Sequence, residues 1–180
     1  MKWLKWIGIV VVVLVVLFVG VGALLPSEFS VERSVVISAG PEQIHELVGD
    51  LRQWPEWAPW SEMDPSIQTT YGETTTGVGA SQSWTSNSGD GELTFTMSDV
   101  QTGVVYDMSF DEGAFLCKGS LRYETAPDGT KVTWDFKGDS GWNLIGRYMG
   151  LMMDTMVGEA FTKGLDSLKA KAEAAPPAPE

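Results

Sequence analysis

Residues 131–137 read KVTWDFK, and their alternation decides the fold. Val132, Trp134 and Phe136 fall on one face of a strand, with Lys131, Thr133, Asp135 and Lys137 on the other, because successive strand side chains point to opposite sides. The same period runs through the preceding segment. In LTFTM, Leu93, Phe95 and Met97 share a face opposite Thr94 and Thr96. In VVYDMSF the pattern groups Val104, Tyr106, Met108 and Phe110. Breaks at Gly72, Gly77–Gly79, Gly89–Gly91, Gly103, Gly113 and Asp128-Gly129 divide residues 66–140 into about six short strands. Asp-Gly between two such runs is a strong hairpin signal. The pattern predicts an antiparallel sheet with one wet and one covered face.

Working outward, SVERSVVISA (30–39) reads as a further strand, closed by Gly40-Pro41. Pro41 suits a first helical turn, and PEQIHELVGDLRQW places Ile44, Leu47, Val48 and Leu51 at helical spacing up to Pro55. The segment EWAPWSEMDP, with Trp57 and Trp60 between prolines, suits a short helical turn packed by its aromatics. Residues 144–172 form a long helix whose apolar stripe is expected to be Ile145, Tyr148, Met149, Met152, Met156, Ala160, Leu165 and Leu168. Gly146, Gly150, Gly158 and Gly164 each weaken it by about 1 kcal/mol relative to Ala, which close approach to a sheet would explain.

At the other end, Trp6–Leu25 (WIGIVVVVLVVLFVGVGALL) carries no charged side chain. At about 1.5 Å per residue, a helix of this length covers the roughly 30 Å core of a bilayer. Lys2 and Lys5 precede it, so the positive-inside tendency keeps the N-terminus in the cytoplasm and exports the rest. Trp3 and Trp6 suit an interfacial anchor. The competing reading is a cleaved secretory signal with Val21-Gly22-Ala23 as its cleavage site, although signal cores are usually shorter. No Cys follows the run, which excludes a lipoprotein. The expected organisation is an anchor over 1–26, one domain over 27–173 and a disordered tail over 174–180. The expected location is a bacterial cytoplasmic membrane, single-pass, with the domain outside.

Setting Lys2 and Lys5 aside, the formal charge falls from −12 for the whole chain to −14 for the remainder. A domain this acidic is a poor nucleic-acid ligand and is repelled by anionic headgroups. One Cys (Cys117) and one His (His45) exclude an internal disulfide and leave little material for a zinc site or a Cys–His pair. Cys117 is expected in the core and His45 facing solvent. No metal or other cofactor is expected. Eight Trp and eight Met are the compositional oddity, and suggest a thick core or an apolar pocket.

A long helix over a curved sheet covers its concave face, and a gap between them would be a cavity. The expected walls are Trp84, Phe95, Met97, Tyr106, Met108, Phe110, Cys117, Trp134, Phe136, Met149, Met152 and Met156. The strings VERSVVISAGPEQIHELVGDLRQWPEWAPW, GVGASQSW, KVTWDF and GEAFTKGLDSLKAKAE, in that order over residues 28–173, resemble the START-like or Bet v 1-like (SRPBCC) superfamily. Within it they are similar to the bacterial polyketide cyclase/dehydrase group. The resemblance implies an α+β helix-grip fold: a curved antiparallel sheet of about seven strands wrapped around a long C-terminal helix, here preceded by a transmembrane helix. It also implies a deep apolar cavity for lipids, sterols, hormones or polyketides. No catalytic residue is carried over, since the matched strings contain none. Asp107 and Asp135 fall on the outer face by alternation, while Glu62, Asp64 and Asp154 are candidate rim acids. The expected function is a membrane-tethered module for a hydrophobic small molecule or lipid. The alternatives are a polyketide cyclase- or dehydratase-like enzyme acting on a bulky apolar substrate, and a non-catalytic interaction protein with a vestigial cavity, which an exposed patch at Trp54, Trp57 and Trp60 would favour.

Overall fold

The computed structural model describes residues 2–110, 113 and 115–174, so most of the expected tail lies outside the described residues. Helix α1 (Lys2–Leu24) leads into β1 (Glu28–Ile37), α2 (Pro41–Val48), a 3₁₀ turn (Leu51–Glu56) and α3 (Trp60–Met63). Strands β2 (Gln68–Tyr71), β3 (Ser81–Thr85), β4 (Gly91–Asp99), β5 (Gly103–Phe110), β6 (Phe115–Ala126) and β7 (Gly129–Asp139) follow, and α4 (Leu144–Ala174) closes the described chain. The seven strands form one curved antiparallel sheet in the order β1-β7-β6-β5-β4-β3-β2. The first strand therefore pairs with the last, and α4 packs on the inner face.

Local chemistry explains two departures from the sequence reading. The helix expected to run to Trp54 stops at Val48, where the Gly49 N–H closes on the His45 carbonyl at 2.7 Å. Asp50 then accepts from the Arg52 N–H at 3.0 Å and starts the 3₁₀ turn, which contains Pro55 instead of ending before it. The second departure is in β4. Register shifts between Phe95, which opposes Tyr106, and Met97, which opposes Val105. A bulge of this kind inserts one residue and reverses the alternation. Ser98, not Met97, consequently points inward, where its hydroxyl lies 3.3 Å from His45 Nε2. Met97 is removed from the expected cavity wall and sits exposed on the outer face.

The apolar stripe of α4 also divides. Ala160, Leu165 and Leu168 are buried as expected, together with Phe161 and Ala172. Ile145, Met149, Met152 and Met156 are exposed instead. The line that meets the sheet in the first half of the helix lies one position round and is drawn largely in glycine. Gly146 rests on Ser140 and Phe115, and Gly150 on Phe29. Met153 and Val157 continue the line against the core. Further along, Gly158 makes room for the Arg33 guanidinium, which is paired with Asp154 at 2.8 Å.

Glycines on one helix should then respond oppositely to a methyl group. At Gly164 an added Cβ would lie 2.7 Å from the Trp134 ring and 3.2 Å from Pro59, neither of which can yield. At Gly150 it would meet nothing closer than 3.5 Å. Denaturant unfolding of the full chain should show Gly150→Ala stabilised by up to about 1 kcal/mol through helix propensity, and Gly164→Ala destabilised by about 1–3 kcal/mol through overpacking.

Candidate functional site

One half of the concave face is filled. Trp134 is wholly buried and stacks on Phe161, ring centroids 4.1 Å apart and planes 3° apart. Trp57 and Trp60 meet the same indole edge-on at 5.3 and 5.8 Å, and Trp54 stands 6.5 Å away, also edge-on. Each buried indole N–H has an acceptor: Trp134 donates to the Tyr106 hydroxyl at 2.8 Å, Trp54 to the Val48 carbonyl at 2.9 Å and Trp57 to the Leu47 carbonyl at 3.0 Å. Satisfied polar tips let aromatic rings this large pack without penalty. Phe95, Tyr106 and Trp134, expected to line a cavity, fill this space instead. Trp54 and Trp57 are buried and Trp60 half-buried, so they form core, not an exposed interaction patch.

The other half remains partly uncovered. Directly opposed residues in an antiparallel pair share a face, so the register Leu93–Met108–Cys117–Gly138–Phe29 runs across the inner wall. The neighbouring row is Trp84–Gly91–Phe110–Phe115. Trp84 meets Phe110 edge-on at 5.6 Å, and Phe29 lies 5.8 Å from Phe136. Trp84, Met108, Phe110 and Phe115 are only half-buried, while Cys117, Phe29 and Phe136 form the floor. The first half of α4 crosses this wall at Gly146 and Gly150. Five of the expected residues (Trp84, Met108, Phe110, Cys117 and Phe136) thus come together. Phe29 and Phe115 join them unforeseen, although alternation from Val31 back to Phe29 offered a signal.

Two surface hollows occur elsewhere. One, of about 220 Å³, lies among Ala39, Pro41, Gln101, Tyr123 and Thr130; the other, of about 390 Å³, lies among Pro65, Gln68, Thr85 and Asn87. Neither is lined by α4. Among the described residues the space between sheet and helix divides into a filled half and an open half.

The titratable groups fit this division. Burial pushes the Cys117 thiol up to about 11, which suits an apolar floor and not a nucleophile. Burial also raises the phenols of Tyr106 and Tyr123. Asp154 is paired with Arg33, and hydrogen bonds from Ser66 hold Asp64 down to about 2. Glu62 is exposed on α3. Asp107 faces outward beside Lys118, and Asp135 is buried on the outer face under Arg122, Ser120 and Lys137. His45 does not face solvent as expected. It is half-buried on the inner face, between Ser98 and the Tyr123 hydroxyl, which is 3.5 Å from Nδ1. Among the described residues no cluster of His, Cys, Asp and Glu could hold a metal ion.

The pattern of the family described as "Polyketide cyclase / dehydrase and lipid transport" matches residues 28–173. The chain belongs to this family. Solved structures agree on the Bet v 1-like fold. A protein from Chromobacterium violaceum is 13% identical, with a TM-score of 0.60 over 81% of this chain and 98% of its own. A Thermobifida fusca protein is 20% identical, with a TM-score of 0.60 over 79% and 92%. The di-domain ARO/CYC StfQ from the steffimycin biosynthetic pathway is 11% identical, with a TM-score of 0.59 over 81% of this chain and 51% of its own. No curated protein matches the sequence.

His45 gives the family fold here a pH signature. Burial lowers its pKa below 6.5, opposed in part by the nearby Asp99 carboxylate. A depressed histidine pKa means that the unfolded chain takes up the proton first, so its stabilising contribution is full above pH 6.5 and is lost as pH falls through the folded-state value. Unfolding midpoints measured downward from pH 6.5, stopping above the carboxylate range, should decline in the native chain. The decline should flatten in His45→Gln.

Proposed function

We propose that this protein binds a hydrophobic small molecule or lipid on the open half of its concave face, held at a membrane by α1. The half-covered wall of Trp84, Met108, Phe110 and Phe115 is the observation that carries the reading. Apolar side chains facing inward on a sheet, yet left partly uncovered, gain free energy when a guest covers them. At roughly 25 cal/mol per Å², covering about 200 Å² contributes about 5 kcal/mol before the entropy of binding is subtracted. The family description supports the ligand class, since it joins polyketide chemistry to lipid transport. The wall supplies binding groups; of its polar neighbours Arg33 is paired with Asp154 and Tyr106 with Trp134, while the buried Ser140 hydroxyl is a lone polar group that forms no acid–base pair. Binding without chemistry is therefore the reading preferred over cyclisation or dehydration.

The tether rests on α1, whose stretch Lys5–Leu24 is long and apolar enough to cross a membrane and is almost wholly uncovered by the rest of the protein. Lys2 and Lys5 favour a cytoplasmic N-terminus, with the domain outside a bacterial cytoplasmic membrane.

Two measurements test this. Native mass spectrometry of the full chain released from detergent should detect a co-purifying apolar mass. Met108→Arg, which puts a guanidinium on the wall, should lower its occupancy at least about tenfold, or about 1.4 kcal/mol, without changing the fold by circular dichroism. Equal occupancy in the folded variant would remove the wall from the binding site. A reporter enzyme active only outside the cytoplasm, fused after Glu180, should be active; activity only from a cytoplasmic reporter would reverse the orientation.

A further inference from the structure

We infer that Trp142 and the first turns of α4 form a second membrane contact, in which Trp142, Ile145, Met149 and Met152 lie in the leaflet from which α1 emerges. This rests on the reading of α1 as a membrane span, and it adds a lipid-facing surface to the domain itself.

The joint between α1 and α4 carries the inference. Arg147 Nη1 donates to the carbonyls of Ala23 at 2.9 Å and Leu25 at 3.0 Å, while its Nε donates to Gly141 at 2.8 Å. The last carbonyls of a helix lack intrahelical partners, so one guanidinium caps the end of α1 from the domain side. Tyr148 reaches further down: its hydroxyl donates to the Phe18 carbonyl at 2.8 Å, and its ring stacks on Phe18 at 4.7 Å. Gly22 permits this approach, since a Cβ there would lie 3.0 Å from Tyr148 and 3.3 Å from Leu144. Phe18 precedes the end of α1 at Leu24 by six residues, or about 9 Å of helix. The interfacial layer is only about 5–8 Å thick on each side, so a contact at that depth brings the start of α4 to the hydrocarbon boundary.

The chemistry of the segment matches that depth. Trp142 is 86% exposed, Ile145 65% and Met152 58%, and Met149 is exposed beside them. Ile145, Met149 and Met152 recur at three- and four-residue intervals and so share a flank of the helix. Residues 142–153 (WNLIGRYMGLMM) carry one charge, Arg147, which is engaged with α1 and lies 5.4 Å from the centre of the Trp142 ring. A protein otherwise this acidic gains nothing from anionic headgroups, so the contact must be apolar, and neutral lipid should support it. The same segment touches the open wall through Gly146 and Phe115. A lipid could then pass from the leaflet to the wall without crossing water.

The test uses the full chain in neutral phosphatidylcholine vesicles, in a Cys117→Ala background. An environment-sensitive fluorophore is placed singly at Trp142→Cys, Met152→Cys, Val12→Cys in the span, and Asp128→Cys at the β6–β7 turn. Expected are blue-shifted emission and loss of intensity to acyl-chain nitroxides at 12, 142 and 152, with quenching by aqueous iodide at 128. Lipid quenching at 12 with iodide quenching at 142 and 152 would overturn the second contact and leave the anchor standing. Iodide quenching at all four positions would overturn both. A blue shift at 142 and 152 that resists both quenchers and fades on dilution into excess lipid would mean that a second copy covers this face, which also overturns the proposal.

Discussion

The contact between Trp134 and Phe161 organises this domain. Strand alternation sends the Trp134 indole inward from the middle of β7, and a ring that large has to be met by a surface of its own kind. Phe161 supplies it with near-parallel planes, and it can do so because Gly164 places no side chain between helix and ring. Trp54, Trp57 and Trp60 then close the remaining sides, each entering from the short, proline-bounded segment after α2. Truncating a core aromatic of this kind typically costs about 3–5 kcal/mol, a large part of a domain's net stability. The packing also settles where the concave face has space. Tryptophan fills the end over α2 and the 3₁₀ turn, so among the described residues the uncovered apolar surface of the concave face lies toward Trp84, Phe110 and Phe115.

Much of this was legible, and the failures have physical causes. Period-two alternation in KVTWDFK placed Val132, Trp134 and Phe136 correctly because β7 is regular from end to end. The same rule failed at Met97, since a bulge adds one residue without changing the pattern of large and small side chains around it. Reading α4 by its large apolar residues selected Met149, Met152 and Met156, whereas the surface that meets the sheet is built from Gly146, Gly150, Met153 and Val157. Hydrophobic periodicity looks for bulk, and close packing of a helix on a sheet asks for its absence. The tryptophans were conspicuous by count, but whether they wall a cavity or fill it depends on which rings meet. Arg33 and Asp154, 121 positions apart, could not have been paired from sequence at all.

The outer face obeys a different constraint. Asp135 is buried there, and Ser120, Arg122 and Lys137 surround it, with Glu32 holding the far side of the Arg122 guanidinium at 3.2 Å. A carboxylate taken out of water needs such partners, since an unpaired one would cost several kcal/mol. The sheet therefore concentrates charge on its convex side, while its concave side is mostly hydrocarbon apart from Arg33, which is paired with Asp154. On the proposed reading, that contrast lets one surface remain in solvent while the other takes an apolar guest.

The passage from α1 to β1 is short: Leu25, Pro26 and Ser27 span it, Ser140 donates to the Ser27 carbonyl at 2.8 Å, and Arg147 grips the helix end. The described junction is short and hydrogen-bonded along its length, unlike an open linker. On the reading of α1 as a membrane span, these contacts hold the domain against its anchor, unlike a shuttle on a long tether. On the proposed reading the domain is a fixed berth, and cargo is exchanged where it stands, by lateral arrival of the guest or by a visiting partner.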